Sequence, residues 1–444
     1  MKKTANKLIA FITALLVFMA ASAAVHAAAE AADKTKVKSM IDKTAEFVTG
    51  NADVLEDSDF DLLTLGLLQS GANVPDEYMN TYLAYIKESL DDVLASDNNQ
   101  GRLTYISLAL TAAGLNPANF DGKNLLAPLG KLTDVIDDIY SAPYVLMLLD
   151  NGYSDFTGEG ATTRASLISW LLDQINSDEG GYRPDFGYGP SLDVDTTALI
   201  ICALWPHRAQ AGIQSVINKS IAVLSDEAVQ EANGGYLSWG TESPESAARV
   251  ITAICTIGKN PADGAVGFVK ADGNPFTALS IFYLEETGGF YSPYGATDEP
   301  NSFSTRDGFI GLAAYSRLLA GNTASVYNLD NAGLANEITA MINALPAAIT
   351  AKDIASVNSA KAKYDALPGY LKIYIINSDK LSAAVSAANA LQNSQTTSSN
   401  STASDELNDP IPPTGNGQFP TMIFAVLALC GMTILITCKA GKRA

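Results

Sequence analysis

Three stretches of this 444-residue chain set acids among aromatics. Tyr182 and Tyr188 flank Asp185 and precede Asp193-Val194-Asp195; Tyr236 and Trp239 precede Glu242 and Glu245; Tyr291, Tyr294 and Phe303 precede Arg306-Asp307. Two carboxylates facing each other across a cleft can cleave a glycosidic bond by general acid-base catalysis. Aromatics beside acids can instead stack on a flat or sugar-like ligand while polar groups orient it. Acids are common throughout the chain, and spacing selects no catalytic pair among Asp185, Asp193, Asp195, Glu242, Glu245 and Asp307. No catalytic residue is therefore assigned. The binding reading names Asp193, Tyr188, Trp239, Glu242, Tyr294, Arg306 and Asp307 as ligand candidates. Asp195, directly before Thr196-Thr197, reads as the cap or first-turn acid of a helix, with Asp193 in the loop ahead of it. Gly-x-Ser-x-Gly, phosphate-loop and His-Glu-x-x-His motifs are absent from the sequence. His207 is five residues from Cys202, about one and a half helical turns, and Pro206 intervenes, so neither a zinc site nor another resident cofactor is expected.

These stretches are positioned by a repeat. Gly180-Gly181-Tyr182, Gly234-Gly235-Tyr236 and Gly288-Gly289-Phe290 recur in two equal steps of 54 residues, and such a period signals repeat architecture. Apolar runs align on Gly66-Leu67, Ala109-Leu110, Met147-Leu148, Ala203-Leu204, Ala253-Ile254 and Gly311-Leu312, giving six inner-helix candidates. Amphipathic segments such as Arg164 to Ile175 and Asn218 to Val229 lie between them and read as outer helices. The expected fold class is all-α: an (α/α)6 toroid over 33–330, then a small helical bundle over 331–392 and a disordered Ser/Thr/Asn-rich linker over 393–410. In the bundle, Leu334 to Leu345 is a helix stopped by Pro346, Thr350 to Asp353 resembles a capping box, and a further helix runs from Asp379 to Leu391.

The run from Trp170 to Gln174, then Gly180-Gly181-Tyr182, then Asp193 to Ala198 resembles the repeats of the terpene cyclase and prenyltransferase superfamily. The segments from Ser238 and from Ser304 resemble bacterial surface toroids related to the α-domain of intrinsic factor and transcobalamin. The resemblance implies the toroid and offers cobalamin as a ligand. The β-rich domain that closes over the corrinoid in those relatives has its place taken here by the helical bundle. Against the cyclase Asp-x-Asp-Asp motif, Asp193, Val194 and Asp195 match but Thr196 replaces the last acid, which argues against carbocation chemistry. Cys202 and Cys255 lack the context of a complement-type thioester and read as free, buried thiols.

The ends of the chain give an address. Lys2, Lys3 and Lys7, an apolar run and a small-residue site near Ala27 form a secretory signal peptide over 1–27, cut by signal peptidase. Residues 419–438 hold an apolar span, of which 19 residues cover about 28 Å, followed by the basic cytoplasmic tail 439–444. Ile411-Pro412-Pro413-Thr414-Gly415 before this span resembles the sorting signal of Gram-positive wall-anchored proteins, with Ile411 where Leu is usual. That resemblance implies cleavage between Thr414 and Gly415 by a sortase and transfer to peptidoglycan, with a plain membrane anchor as the alternative. Removing the three basic residues of the leader and the three of the tail leaves 22 basic against 48 acidic residues, a net charge of −26 that excludes nucleic acid as a partner. The reading is an exported, non-enzymatic wall protein presenting a binding surface for an unknown extracellular ligand. A glycan-active enzyme and a purely structural spacer are the alternatives.

Overall fold

Apolar runs with no polar face must be surrounded, and here they are surrounded by one another. The computed structural model describes residues 30–51 and 57–401, and these are mostly helical. In chain order the helices are α1 (30–50), α2 (Asp57–Ser70), α3 (Asp76–Ala95), α4 (Gln100–Ala112), α5 (Leu132–Val135), α6 (Ser141–Asp150), α7 (Arg164–Gln174) and α8 (Val194–Leu204). They continue with α9 (Ile213–Leu224), α10 (Pro244–Thr256), α11 (Pro275–Ile281), α12 (Ser302–Leu319), α13 (Leu334–Ala344), α14 (Ile354–Asp365), α15 (Gly369–Lys372) and α16 (Ser378–Ser401). A two-stranded antiparallel hairpin, β1 (Leu237–Ser238) and β2 (Thr241–Glu242), precedes α10.

The aligned apolar pairs fall on α2, α4, α6, α8, α10 and α12, and these helices pack in succession, with α12 returning to α2. Small residues permit the closest approaches: a Cβ on Gly311 would stand 3.0 Å from the carbonyl oxygen of Ala248 in α10. Around this succession α3 packs on α4, α7 on α6, α9 on α8 and α11 on α10. The Gly-Gly turns join these outer helices. A Cβ on Gly180 would sit 2.7 Å from the Lys219 backbone in α9, one on Gly234 2.3 Å from Asn274 at the start of α11, and one on Gly288 2.3 Å from Lys43 in α1. The third contact brings the end of the series back to its beginning. There Tyr283 Oη donates to the Met40 carbonyl at 3.1 Å, and Lys43 Nζ donates to the Glu285 carbonyl at 2.7 Å.

Several boundaries differ from the sequence reading. α9 begins at Ile213 and ends at Leu224, because Gly212 turns the chain at φ 85° and the Asp226 side chain captures the Ala228 amide in a new turn. The boundary drawn at residue 330 is no break in contacts. Residues through Asn389 form one compact unit, in which Tyr370 N donates to Asp76 Oδ1 at 3.0 Å, Ala335 N donates to the Gly114 carbonyl at 3.0 Å, and the rings of Tyr374 and Phe120 stack. The change in composition marks an exposed outer face. Inward, Ile338, Ile342, Tyr370 and Leu371 are buried. The Thr350-Asp353 capping box forms as expected. Residues 393–401, read as the start of a disordered linker, continue α16 instead, since no Pro or Gly interrupts the helix between Ser378 and Ser401.

The second unit, from Ala390 onward, is described only as far as Ser401. The signal peptide 1–27, the rest of the linker, the sorting motif Ile411 to Gly415, the apolar span 419–438 and the basic tail lie outside the described residues. Among the described residues no helix is long and apolar enough to cross a membrane. Cys202 and Cys255 are free and buried.

Candidate functional site

The last three Gly-Gly turns lead into their inner helices by one hydrogen-bond scheme. The carbonyls of Tyr182, Tyr236 and Phe290 accept from the amides of Asp193, Ser243 and Asn301 at 2.9, 2.9 and 2.8 Å. Each of these three residues then caps its helix: Asp193 Oδ1 accepts from Thr196 N at 2.8 Å, Ser243 Oγ from Ser246 N at 3.1 Å and Asn301 Oδ1 from Ser304 N at 2.9 Å. The cap of α8 is thus Asp193 and the first-turn acid is Asp195; of the two readings of Asp195 the first-turn one holds, and the expectation that Asp193 stands free in the loop is corrected. Asp193 is the last extended residue before α8 begins at Val194, so its side chain reaches a free amide of the first turn, that of Thr196, while Asp195 already lies inside that turn. Asp195, Glu245 and Phe303 occupy the same place in the first turns of α8, α10 and α12.

Side chains near the N-termini of these helices meet across several of their neighbours. Arg306 Nη1 of α12 donates to Asp59 Oδ1 of α2 at 2.6 Å, and Ser304 Oγ of α12 donates to Glu245 Oε1 of α10. Asp195 of α8 faces Ser246 and Arg249 of α10, and the rings of Tyr105 in α4 and Tyr144 in α6 meet edge to face 5.2 Å apart. Deeper, Asp307 bridges two guanidiniums, accepting from Arg249 Nε at 2.8 Å and from Arg306 Nε at 2.9 Å. Burial alone would raise the Asp307 pKa, but Arg249 and Arg306 together hold it below the usual carboxylate value.

Above this buried network opens a cleft of about 540 Å³. Tyr140, Phe186, Trp239, Tyr294 and Phe303 line it, together with Asp193, Asp195, Glu245 and five serines. Trp239 is 81% exposed, Phe186 62% and Tyr294 60%. Trp239 sits at φ 50° in the hairpin turn with Gly240 at φ 83°, a left-handed backbone costly for a bulky residue. The turn holds the indole out of the protein, 6.3 Å from the Phe186 ring, and Tyr294 Oη donates to the Ser238 carbonyl and braces it. Glu245 is held on both oxygens by hydroxyls, Oε2 accepting from Ser243 Oγ at 2.8 Å. Asp195 is less satisfied. Its Oδ1 is buried without a hydrogen-bond partner, and burial pushes its pKa up to about 6, with Arg249 and Ser246 pulling it back.

Of the residues named from sequence, Asp193, Trp239 and Tyr294 line the cleft. Arg306 and Asp307 belong to the buried network beneath it. Tyr188 is 93% exposed and is not a lining residue, and Glu242 accepts from Asn233 Nδ2 at 2.7 Å within its own turn. Phe186, two residues from Tyr188, takes the lining place, a choice that a flexible Gly-rich loop hides from sequence reasoning. Tyr140 was missed because it belongs to a decayed unit without a Gly-Gly mark. Tyr236 and Phe290 are buried, whereas Tyr182, in the same place after its Gly-Gly pair, is only partly buried. His207 pairs with Asp150 at 2.8 Å, and no group of three or more metal-binding side chains occurs among the described residues. No protein family, curated protein or solved structure matches the chain.

Proposed function

We propose that the chain is an exported surface protein whose helices form an (α/α)6 toroid and whose cleft at one mouth binds a small extracellular ligand. The observation that carries the binding reading is the aromatic rim, in which Trp239 is held in a strained, exposed position over a cleft floored by an unsatisfied carboxylate. A toroid is supported by the return of α12 to α2 and of the third Gly-Gly turn to α1. Wall attachment rests on the sequence from Ile411 to Gly415 and the apolar run after it. Boiling cell walls in detergent tests it, since a covalently attached chain stays with the wall and a membrane-anchored one is released.

The binding test uses the fluorescence of Trp239, compared with Trp239→Ala, across a panel of small glycans, cobalamin and amines. We expect a saturable change for one class of ligand that disappears in the variant. A panel without effect on either protein sinks the reading.

A glycan-active enzyme is the second reading, favoured by one observation: Asp195 and Glu245 occupy equivalent first-turn positions on adjacent helices and both line the cleft. New reducing ends released from a polysaccharide, and lost in Asp195→Asn, would select it over simple binding.

A further inference from the structure

We propose that the cleft takes an organic ammonium, a cation on a compact apolar body, seated among Phe186, Trp239, Tyr294 and Phe303. The proposal rests on the ligand-binding reading and narrows it. No lysine, arginine or histidine lines the cleft among the described residues, whereas Asp193, Asp195 and Glu245 do. The nearest guanidiniums are engaged below, Arg249 with Asp307 and Arg306 with both Asp307 and Asp59. Five carboxylates therefore face two guanidiniums at this end of the inner helices, an imbalance that repels anions and that a neutral ligand leaves in place. Aromatic faces complete the argument, because a ring offers negative charge from its π-system to a cation. One ring already does so: the Arg306 guanidinium lies 4.0 Å from the Phe303 centroid.

Asp195 makes the site sensitive to acid. It faces Arg249 and Ser246 from α10, Asp307 from α12, Tyr140 from the chain before α6 and Asp193 from its own helix, and burial among them leaves its carboxyl protonated up to about pH 6. A bound cation supplies the counter-charge that water does not, so it favours the ionised form and binds better when the proton is gone.

The test is calorimetric titration of the purified protein with tetramethylammonium, tert-butanol as its uncharged counterpart, and methyl glucoside. Tetramethylammonium should bind at about pH 7.5 at least about tenfold more tightly than tert-butanol or the glucoside, and about tenfold more weakly at about pH 5. Trp239→Ala should lose this binding. Asp195→Asn should flatten the pH dependence, with thermal melts showing that the variant is folded. Equal or tighter binding of tert-butanol or the glucoside overturns the ammonium proposal and leaves the ligand-binding reading standing. Heat from none of the three also overturns it, and the ligand-binding reading then stands or falls by the broader fluorescence panel. Tetramethylammonium binding that Trp239→Ala does not weaken places the ligand elsewhere and overturns the assignment to this cleft.

Discussion

Two carboxylates, two residues apart at the start of α8, pull the stability of the protein in opposite directions. Asp193 satisfies the Thr196 amide, and its loss leaves that donor open. Asp193→Ala should lower stability by about 0.5–2 kcal/mol, read as a lower melting temperature. Asp195 has its pKa raised by burial from 3.8 to about 6, so the fold prefers it protonated. Stability from this group is complete below pH 3.8, declines as pH rises towards 6 and stays diminished above it. Asp195→Asn should therefore raise stability at neutral pH by on the order of 2 kcal/mol, read as a higher melting temperature, and bring little gain near pH 4. Melts of both variants at the two pH values check the pair, and a neutral-pH loss for Asp195→Asn as large as that for Asp193→Ala would refute it. The sequence placed Asp195 correctly in the first turn but left Asp193 in the loop, so the capping role went unassigned to it. Placing a cap needs the helix start to within one residue, and Val194 ahead of the Thr-Thr pair is already helical.

At the scale of elements, the inner helices were legible because each carries a small residue and an aliphatic inside a run too apolar to face water, as in Ala203-Leu204 and Ala253-Ile254. The Gly-Gly turns were legible as a period. Their reason was not, because it lies in contacts between distant segments, such as Gly288 against Lys43. Gly288 has φ 84°, and an added Cβ would meet the Lys43 carbonyl at 2.3 Å, so Gly288→Ala combines backbone strain with a collision against a fixed helix. It should cost more than the roughly 1 kcal/mol usual for a misplaced residue. Gly212→Ala, at φ 85° with open space around it, should show the backbone part alone. Chemical denaturation of the two variants separates the terms, and equal losses would mean that the contact with Lys43 carries no weight. α9 shows the complementary failure: its apolar period ran on past Leu224 in the sequence, whereas Asp226 ended it through a local hydrogen bond that periodicity does not register.

At the scale of the whole molecule, composition pointed to a separate bundle after residue 330, and contacts join it to the rest. Tyr370 reaches Asp76 and Ala113, and Leu371 packs so closely that a Cβ on Gly114 would stand 3.0 Å from its Cδ2. Residues 30–389 should therefore unfold in one transition, monitored by both far-ultraviolet circular dichroism and tyrosine fluorescence. Two resolved transitions, one of them abolished and the other unchanged on deletion of 331–389, would show the bundle to be independent.

The return of α12 to α2 also dictates an order of events during synthesis. The chain between the two helices exceeds 200 residues, so their contact closes a long loop and waits for nearly all of the head to be made. Until then the face of α2 at Gly66 lacks the cover that Phe309 and Ile310 of α12 give it. The first inner helix to emerge is thus among the last to be completed, and for that interval the growing chain carries an open apolar stripe that a chaperone would have to shield.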